Sequence, residues 1–206
     1  MCRPIQRRSV FRPKSFTAFL RRNPRGKWII VSRRLRVTGH NFRFWNFGKG
    51  GSSMGRLAGK TAFISGGARG LGAEMARLLH GEGANVMVTD ILEEEGHALA
   101  NDHENMTFMA HDVLQEDQWV TTIAATKEAY GGLDILVNNA GIAHNYTTIE
   151  ETTLEQWRKV VGIDLDAVFL GCKHGVGLMK ENGGGSIINI SSIYGIVGSA
   201  GQGPYQ

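Results

Sequence analysis

The chain has 206 residues, of which 42% are hydrophobic and 20% are charged, and this is enough for one full-sized domain. No run of 18 apolar residues occurs, which argues against a membrane-spanning helix. The only two cysteines, Cys2 and Cys172, lie far apart and exclude a disulfide scaffold or a four-thiolate zinc site. These features predict a globular protein located in the cytoplasm.

The net charge of +4 combines two segments of opposite sign. Residues 1–53 contain 14 Lys and Arg and no acidic residue, whereas residues 54–206 contain 9 Lys and Arg against 19 Asp and Glu. The net charges of the segments are therefore +14 and −10. We expect a basic extension over 1–53 and a separate domain over 54–206, whose acidic character argues against a nucleic-acid partner.

The basic extension supports three interpretations. An Arg-rich segment without acids is typical of an organelle presequence. Basic residues interspersed with Trp28 and Trp45 could instead bind single-stranded nucleic acid. The extension could also be translated upstream sequence, disordered or non-native, because Met54 opens a natural start for the domain that follows. A short strand is predicted within 27–36, without an evident partner.

The acidic domain alternates short apolar strands with helices. Strands are predicted at Thr61–Ser65, Ala84–Asp90, Met106–Ala110, Leu133–Asn138 and Ser186–Ser191. Helices are predicted from the first glycine turn to His80, from the second strand to Asn101, over Glu116–Tyr130, and over Leu154–Glu181 with a possible break. This alternation predicts an α/β fold with a doubly wound parallel sheet, a Rossmann fold that is incomplete at its C-terminus.

The turn after the first strand reads Ser-Gly-Gly-Ala-Arg-Gly-Leu-Gly and contains three spaced glycines, Gly66, Gly70 and Gly72. Glycine allows a phosphate to approach the backbone closely, and the N-terminus of the following helix offers free N–H groups to a pyrophosphate. Because the turn follows a strand and opens a helix, it predicts a dinucleotide site.

The second strand ends at Asp90, 18 residues after Gly72. A carboxylate at this place can accept hydrogen bonds from ribose hydroxyls and repels a 2′-phosphate, which favours NAD over NADP. The guanidinium of Arg69 could bind a 2′-phosphate and so favours NADP, but we expect the repulsion of that phosphate by the Asp90 carboxylate to be the larger effect.

Five stretches together resemble the short-chain dehydrogenases/reductases: residues 65–72, Asp90, residues 111–113, residues 138–141 and residues 190–192. The resemblance covers about 56–206 and is greatest to the hydroxysteroid dehydrogenases of that family. It implies an NAD-dependent oxidoreductase that interconverts a secondary alcohol and a ketone, acting on a steroid-like or other apolar small molecule. A 3-oxoacyl-carrier-protein reductase and a non-catalytic NAD-binding remnant are the alternatives.

The resemblance also implies roles for individual residues. The cofactor-binding residues would be Gly66, Ala68, Arg69, Gly70, Leu71, Gly72, Asp90, Asp112, Val113, Asn139, Ala140 and Gly141. Ser192 would hydrogen-bond the substrate oxygen and Tyr205, 13 residues later, would exchange its proton. Ser191 is the alternative serine, and Tyr194 is expected to line the pocket.

Asp164 is a third candidate catalytic residue, at a position where the family usually has asparagine. Its carboxyl could disturb the proton path that the asparagine supports, or it could be a helix-surface acid beside Asp166. The histidines show no metal-ligand spacing, so no metal is expected.

The sequence ends one residue after Tyr205, before the position of the lysine that follows this tyrosine in the family. We therefore expect a fragment with little activity alone, from a parent enzyme that forms a homo-tetramer. The fifth strand would be an open edge with Ile187, Ile188 and Ile190 exposed, which favours aggregation.

Overall fold

The computed structural model describes residues 55–143 and 146–206 in full, and the backbone alone of 19–22 and 28–31. The chain divides into two units, Met1–Gly50 and Gly51–Gln206.

The first unit contains one antiparallel strand pair. Strand β1 (Phe19–Arg22) pairs with β2 (Trp28–Val31), and Phe19 lies opposite Val31. The strand predicted within 27–36 is present, but the expectation that it lacks a partner is wrong. The partner was missed because β1 reads Phe-Leu-Arg-Arg, which has no alternation of apolar and polar residues. The other predictions for 1–53 lie outside the described residues.

The second unit is built on a five-stranded parallel sheet. Its strands are β3 (Thr61–Ser65), β4 (Asn85–Asp90), β5 (Met106–Ala110), β6 (Ile135–Asn138) and β7 (Ser186–Asn189). They lie side by side in the order β5-β4-β3-β6-β7, and every neighbouring pair is parallel. The predicted α/β fold with a parallel sheet of Rossmann type is confirmed.

Five helices connect the strands. They are α1 (Gly70–Gly81), α2 (Glu93–Asn101), α3 (Glu116–Tyr130), α4 (Leu154–Val161) and α5 (Ala167–Glu181). Helix α4 begins with a capping box, in which Thr153 and Gln156 each bond the other's backbone N–H. A π-helical turn over Gly162–Asp166 joins α4 to α5, at the place where a break was considered. None of the helices within the described parts of the chain is long and apolar enough to cross a membrane.

Both faces of the sheet are covered by apolar packing. Alternate residues of a strand point to opposite faces, so Ala62 and Ile64 pack toward α1 and α2 while Phe63 packs with α3 and α5. Burial on both faces explains why the central strands read as continuous apolar runs.

The chain order of the strands creates a crevice at one edge of the sheet. Strands β3, β4 and β5 run outward in one direction, and the chain then returns to place β6 on the other side of β3. The helices that follow β3 and β6 therefore lie on opposite faces of the sheet, and such a switch point is where open α/β sheets bind ligands.

Strand β7 is the sheet edge beside β6 in the described part of the chain. All four of its residues are exposed, and Ile188 keeps 42% of its surface accessible. The sequence-based prediction that Ile187, Ile188 and Ile190 are exposed agrees with the structure.

Candidate active site

The glycine turn after β3 fits tightly against the turn after β6. Gly66 has a φ of 62°, and a Cβ atom on it would lie 2.7 Å from the Cα of Ala140. Only glycine fits this position, because any other residue would be strained by the positive φ and its Cβ atom would collide with the main chain of Ala140.

Two side chains hold these turns together. The Asn139 amide nitrogen donates to the carbonyl oxygens of Ser65, at 3.0 Å, and Gly66, at 2.7 Å. The Ser65 hydroxyl oxygen accepts the backbone N–H groups of Asn139 and Ala140, each at 3.2 Å. Ser65 was not predicted as a site residue, although its position at the end of an apolar strand was a usable signal.

Asp90, at the end of β4, is fixed by two backbone N–H groups. Its Oδ2 accepts from Ala68 at 3.1 Å and its Oδ1 accepts from Leu92 at 3.2 Å. The carboxylate therefore links the glycine turn to the turn after β4. Each oxygen has a further lone-pair direction, so the carboxylate can still accept a hydroxyl.

The N-terminus of α1 is open toward this crevice. Arg69, the residue before the helix, makes no side-chain hydrogen bond that caps the first turn. Uncapped N–H groups and the positive end of the helix dipole favour an anion such as a pyrophosphate.

A pocket of about 390 Å³ lies at this switch point. Eleven of the twelve residues predicted to bind the cofactor line it: Gly66, Arg69, Gly70, Leu71, Gly72, Asp90, Asp112, Val113, Asn139, Ala140 and Gly141. Ala68 is not among the lining residues; it is buried, and its backbone N–H donates to Asp90. The lining also contains residues that sequence reasoning did not assign: Ile91, Leu92, His111, Ile142 and Ile163.

His111 is a buried member of this lining. Its surface is 2% exposed, its ring meets Trp119 edge-on at a centroid distance of 4.5 Å, and its Nδ1 lies 3.0 Å from the Thr89 hydroxyl. Nε2 is buried and has no hydrogen-bond partner among the described residues. Burial lowers the pKa of His111 from 6.5 to about 4, against a smaller opposing effect of Asp112. His111 is therefore a neutral wall of the pocket at neutral pH.

The turn after β5 is held by its own side chains. Asp112 accepts the backbone N–H of Leu114 at 3.0 Å, and its own N–H donates to Gln118 at 2.7 Å. The Val113 carbonyl accepts the indole N–H of Trp119 at 2.9 Å. Asp112 and Val113 thus reach the pocket from a rigid turn.

Asp164 lies beside the pocket without being one of its lining residues. Its Oδ1 accepts the backbone N–H of Ile142 at 2.9 Å, while Oδ2 is buried and has no partner among the described residues. Burial raises the pKa of the Asp164 carboxyl, and the bond from Ile142 opposes this shift only in part. The alternative of a helix-surface acid is wrong, because the chain folds the π-helical turn against the turn after β6.

Ser192 and Tyr205 are not among the residues that line the pocket. The Ser192 hydroxyl oxygen accepts the backbone N–H of Tyr194 at 3.2 Å, which leaves its hydrogen free to donate. The ring of Tyr194 meets that of Tyr205 edge-on, with centroids 6.0 Å apart and planes at 79°. Tyr194 therefore contacts both candidate catalytic residues, and their roles stay predictions.

The described residues show no cluster suited to a metal: over 55–143 and 146–206, no three His, Cys, Asp or Glu side chains come together as a ligand group.

These features fit a dinucleotide coenzyme. A cradle that a Cβ atom at Gly66 would fill, an uncapped helix N-terminus and an acceptor at Asp90 occur together at the switch point of the sheet.

Comparison with known proteins agrees with this geometry. The family model for short chain dehydrogenases matches residues 60–206. A 3-alpha-(or 20-beta)-hydroxysteroid dehydrogenase of Mycobacterium bovis is 49% identical over 146 residues, which cover 70% of this chain and 56% of the relative. A trans-4-hydroxycyclohexanecarboxylate dehydrogenase of Sinomonas cyclohexanicum is 43% identical, over 73% of this chain and 61% of the relative.

A third relative, an NADP-dependent (R)-specific alcohol dehydrogenase of Lentilactobacillus kefiri, is 40% identical over 73% of this chain and 61% of its own length. The chain thus spans little more than half the length of these proteins. With a family match that includes the glycine turn, Asp90 and the Ser192–Tyr205 pair, the chain belongs to the short-chain dehydrogenase family.

Proposed function

We propose that the chain is the coenzyme-binding part of an NAD-dependent oxidoreductase that interconverts a secondary alcohol and a ketone. The observation that carries this proposal is the pocket at the switch point, with the glycine turn on one side and Asp90 at its edge. Membership of the short-chain dehydrogenase family supports the same reaction class.

The choice of NAD over NADP rests on Asp90. Its carboxylate is held beside the turn by Ala68 and Leu92 and cannot move away from a 2′-phosphate without breaking these bonds. Arg69, at the entrance of the same turn, is the group that would favour a phosphate. The fixed negative charge gives the larger effect, because a like charge at short distance is repelled while an exposed guanidinium is already solvated.

The chain's own residues would bind and orient the reactants. A bound nicotinamide coenzyme would exchange a hydride with the alcohol or ketone carbon. The Tyr205 hydroxyl would give a proton to the substrate oxygen or take one from it, and Ser192 would donate a hydrogen bond to the same oxygen. The amide of Tyr194 supports the donor role of Ser192, since it occupies one acceptor direction of that hydroxyl.

The substrate class is proposed from the relatives. Their names include a hydroxysteroid and a hydroxycyclohexanecarboxylate, both ring alcohols. We therefore propose an apolar alicyclic alcohol or its ketone as the substrate of the enzyme to which this chain corresponds.

Coenzyme binding tests the first part of the proposal. NADH and NADPH are titrated into the 206-residue chain, with binding followed by coenzyme fluorescence. We expect NADH to bind about tenfold more tightly or better, which corresponds to roughly 1.4 kcal/mol. Asp90→Asn removes the charge and should reduce this preference, while Asp102→Asn, an exposed acid after α2, should leave it unchanged. Equal binding of the two coenzymes would reject the preference for NAD, and absence of binding would reject the function.

Turnover tests the second part. NADH oxidation by the whole enzyme to which this chain corresponds, since little activity is expected of the 206-residue chain alone, is followed with a steroid ketone, with a cyclohexanone and with a 3-oxoacyl thioester, and the ring ketones are expected to react faster. A faster reaction of the thioester would favour the acyl-reductase alternative.

A non-catalytic NAD-binding protein is the second candidate function. It is favoured by one observation, that Ser192 and Tyr205 do not line the pocket. NADH binding without turnover of any of these ketones would support it.

A homo-tetrameric parent enzyme and a cytoplasmic location stay predictions. Sedimentation and cell fractionation, respectively, are the measurements that test them.

A further inference from the structure

Asp164 has an unusual environment for a carboxyl group. It lies in the π-helical turn between α4 and α5, and one oxygen accepts the backbone N–H of Ile142 at 2.9 Å. The other oxygen, Oδ2, is buried and bonds to none of the described residues. A buried carboxylate oxygen without a donor is costly, and a proton on it removes the charge that makes it so.

Among the residues that the structure describes, no cation contributes to the pKa of this carboxyl. The only causes that shift its pKa are burial, which raises it, and the bond from Ile142, which lowers it. Charged or titratable groups do occur nearby in the fold. Lys159 is on α4, Asp166 is in the same π-helical turn, and His111 and Asp112 are at the turn after β5. None of them contributes to the shift. The group is therefore governed by desolvation, which favours its neutral form.

Asp164 also supports one wall of the pocket. Gly141, Ile142 and Ile163 line the pocket, and Asp164 is bonded to the second of these and adjacent in sequence to the third. A Cβ atom on Gly141 would lie 3.4 Å from Oδ1, so the carboxyl is in contact with the wall along two residues. Because Asp164 bonds directly to the backbone of Ile142, a change at its carboxyl can reach this wall.

We propose that Asp164 is a positioning residue that holds the Gly141–Ile142 wall of the pocket most firmly when its carboxyl carries a proton. Dinucleotide binding and proton uptake at Asp164 then favour each other. The coenzyme half of this inference rests on the proposed function, whereas the half that concerns the wall does not.

Two physical effects favour the protonated form, and the bond from Ile142, which lowers the pKa of Asp164, opposes them only in part. The ionised carboxylate is stabilised by water, and it reaches water by loosening the π-helical turn from the wall. NADH carries two negative phosphates, so its binding in the adjacent pocket raises the energy of a nearby negative charge. Both effects predict that Asp164 binds its proton more tightly when the π-helical turn packs on the wall and the pocket holds NADH than when the turn is loosened and the pocket is empty.

The first experiment measures stability and needs no coenzyme. Urea unfolding of the full chain, of Asp164→Asn and of Asp166→Asn is followed from about pH 3.5 to about pH 8, so that the range begins below the unfolded pKa of aspartate. Because the pKa of Asp164 is raised in the folded state, the wild type loses unfolding free energy as pH rises. The unfolding free energy of Asp164→Asn relative to that of the wild type should therefore increase with pH. Asp166→Asn changes an exposed acid on the same turn and should follow the wild type.

Parallel curves for the wild type and Asp164→Asn would overturn the inference, as would an equal effect of Asp166→Asn. Should Asp164→Asn fail to fold, the ¹³Cγ resonance of Asp164 in the labelled wild type replaces it. The inference then requires this resonance to titrate above the ordinary aspartate range near about 3.9, and it fails if the resonance does not.

The second experiment measures NADH affinity against pH. The dissociation constant of the wild type should rise relative to that of Asp164→Asn as pH increases, by at most about tenfold per pH unit for one proton. Calorimetry in two buffers of different ionisation enthalpy should show proton uptake in the wild type and a smaller uptake in the variant.

The two proposals can fail separately. NADH binding with the same pH dependence in both proteins would reject the coupling and leave the proposed function intact. If the wild type binds no NADH at any pH, the proposed function and the coenzyme half of the inference are both rejected, while the stability curves still decide whether Asp164 supports the wall through its neutral form.

Discussion

His111 illustrates how much the environment of a single residue changes its chemistry. Its ring meets those of Phe63 and Trp119 edge-on, and its Nε2 has no partner among the residues that the structure describes. Protonation would create a buried cation there, so burial lowers the pKa to about 4. Because the folded pKa lies below the unfolded value of 6.5, the stability associated with neutral His111 is complete above about pH 6.5 and is lost as pH falls toward about 4.

This prediction is tested by His111→Gln, which removes the titrating group. Between about pH 7 and about pH 4.5 we expect the wild type to lose roughly 2–3 kcal/mol more unfolding free energy than the variant. Urea unfolding at both pH values gives the difference, in which the titration of the other acidic groups cancels. His97→Gln, an exposed histidine, serves as the control and should retain the loss. An equal loss in His111→Gln would contradict the assignment.

At the scale of an element, α5 shows how a helix is brought close to a sheet. A Cβ atom on Gly171 would lie 2.1 Å from Oδ1 of Asn138 and 2.9 Å from the ring of Trp119. Nothing lies within 4 Å of the corresponding position at Gly177, on the same helix. Identical substitutions at the two glycines therefore have opposite predicted effects.

Gly171→Ala should lower the unfolding free energy by roughly 1–3 kcal/mol, because the methyl group displaces Asn138 or α5. Gly177→Ala should raise it by roughly 0.5–1 kcal/mol through the helix preference of alanine. Thermal and urea unfolding of both variants measure the changes. Effects of the same sign would show that α5 does not pack on β6 as closely as described.

The local sequence pattern predicted where several strands and helices begin and end. Strands β3 and β5 and helix α3 begin and end at the predicted residues, because each is a continuous pattern bounded by turns. Strand β6 starts at Ile135 instead of the predicted Leu133. Leu133 is fully buried, but it lies before the ladder, and apolar character reports burial and not pairing.

For the whole molecule, the exposed edge of the sheet has a predictable consequence. Within the described residues, strand β7 pairs only with β6 and presents its other backbone edge with Ile187 and Ile188 accessible, which is a template for pairing between copies of the chain. We expect the 206-residue chain to self-associate, with a rate that rises steeply with concentration.

Ile188→Lys should reduce this self-association several-fold, because a charge on an edge strand opposes pairing with another copy. Static light scattering over a concentration series measures it. Leu78→Lys is the control: Leu78 is 68% exposed, more than Ile188, but it lies on α1 away from any strand edge. Equal effects of the two substitutions would indicate general solubility and not edge pairing.

The sequence by itself determined the alternation of strands and helices, the glycine turn and the acid at the end of β4. Each of these is a short-range property, since apolar period, turn chemistry and strand ends depend on residues close together in the chain. Together they were sufficient for the fold and for the family, and both predictions are confirmed.

Only the tertiary structure decided which groups share an environment. The bond of Asn139 to the carbonyl of Gly66 joins residues 73 positions apart, and that of Asp164 to Ile142 joins residues 22 apart. No local pattern encodes such contacts, because they arise when the sheet brings separate turns to one edge. The low pKa of His111 and the raised pKa of Asp164 are consequences of that packing, since burial is the largest cause of both shifts.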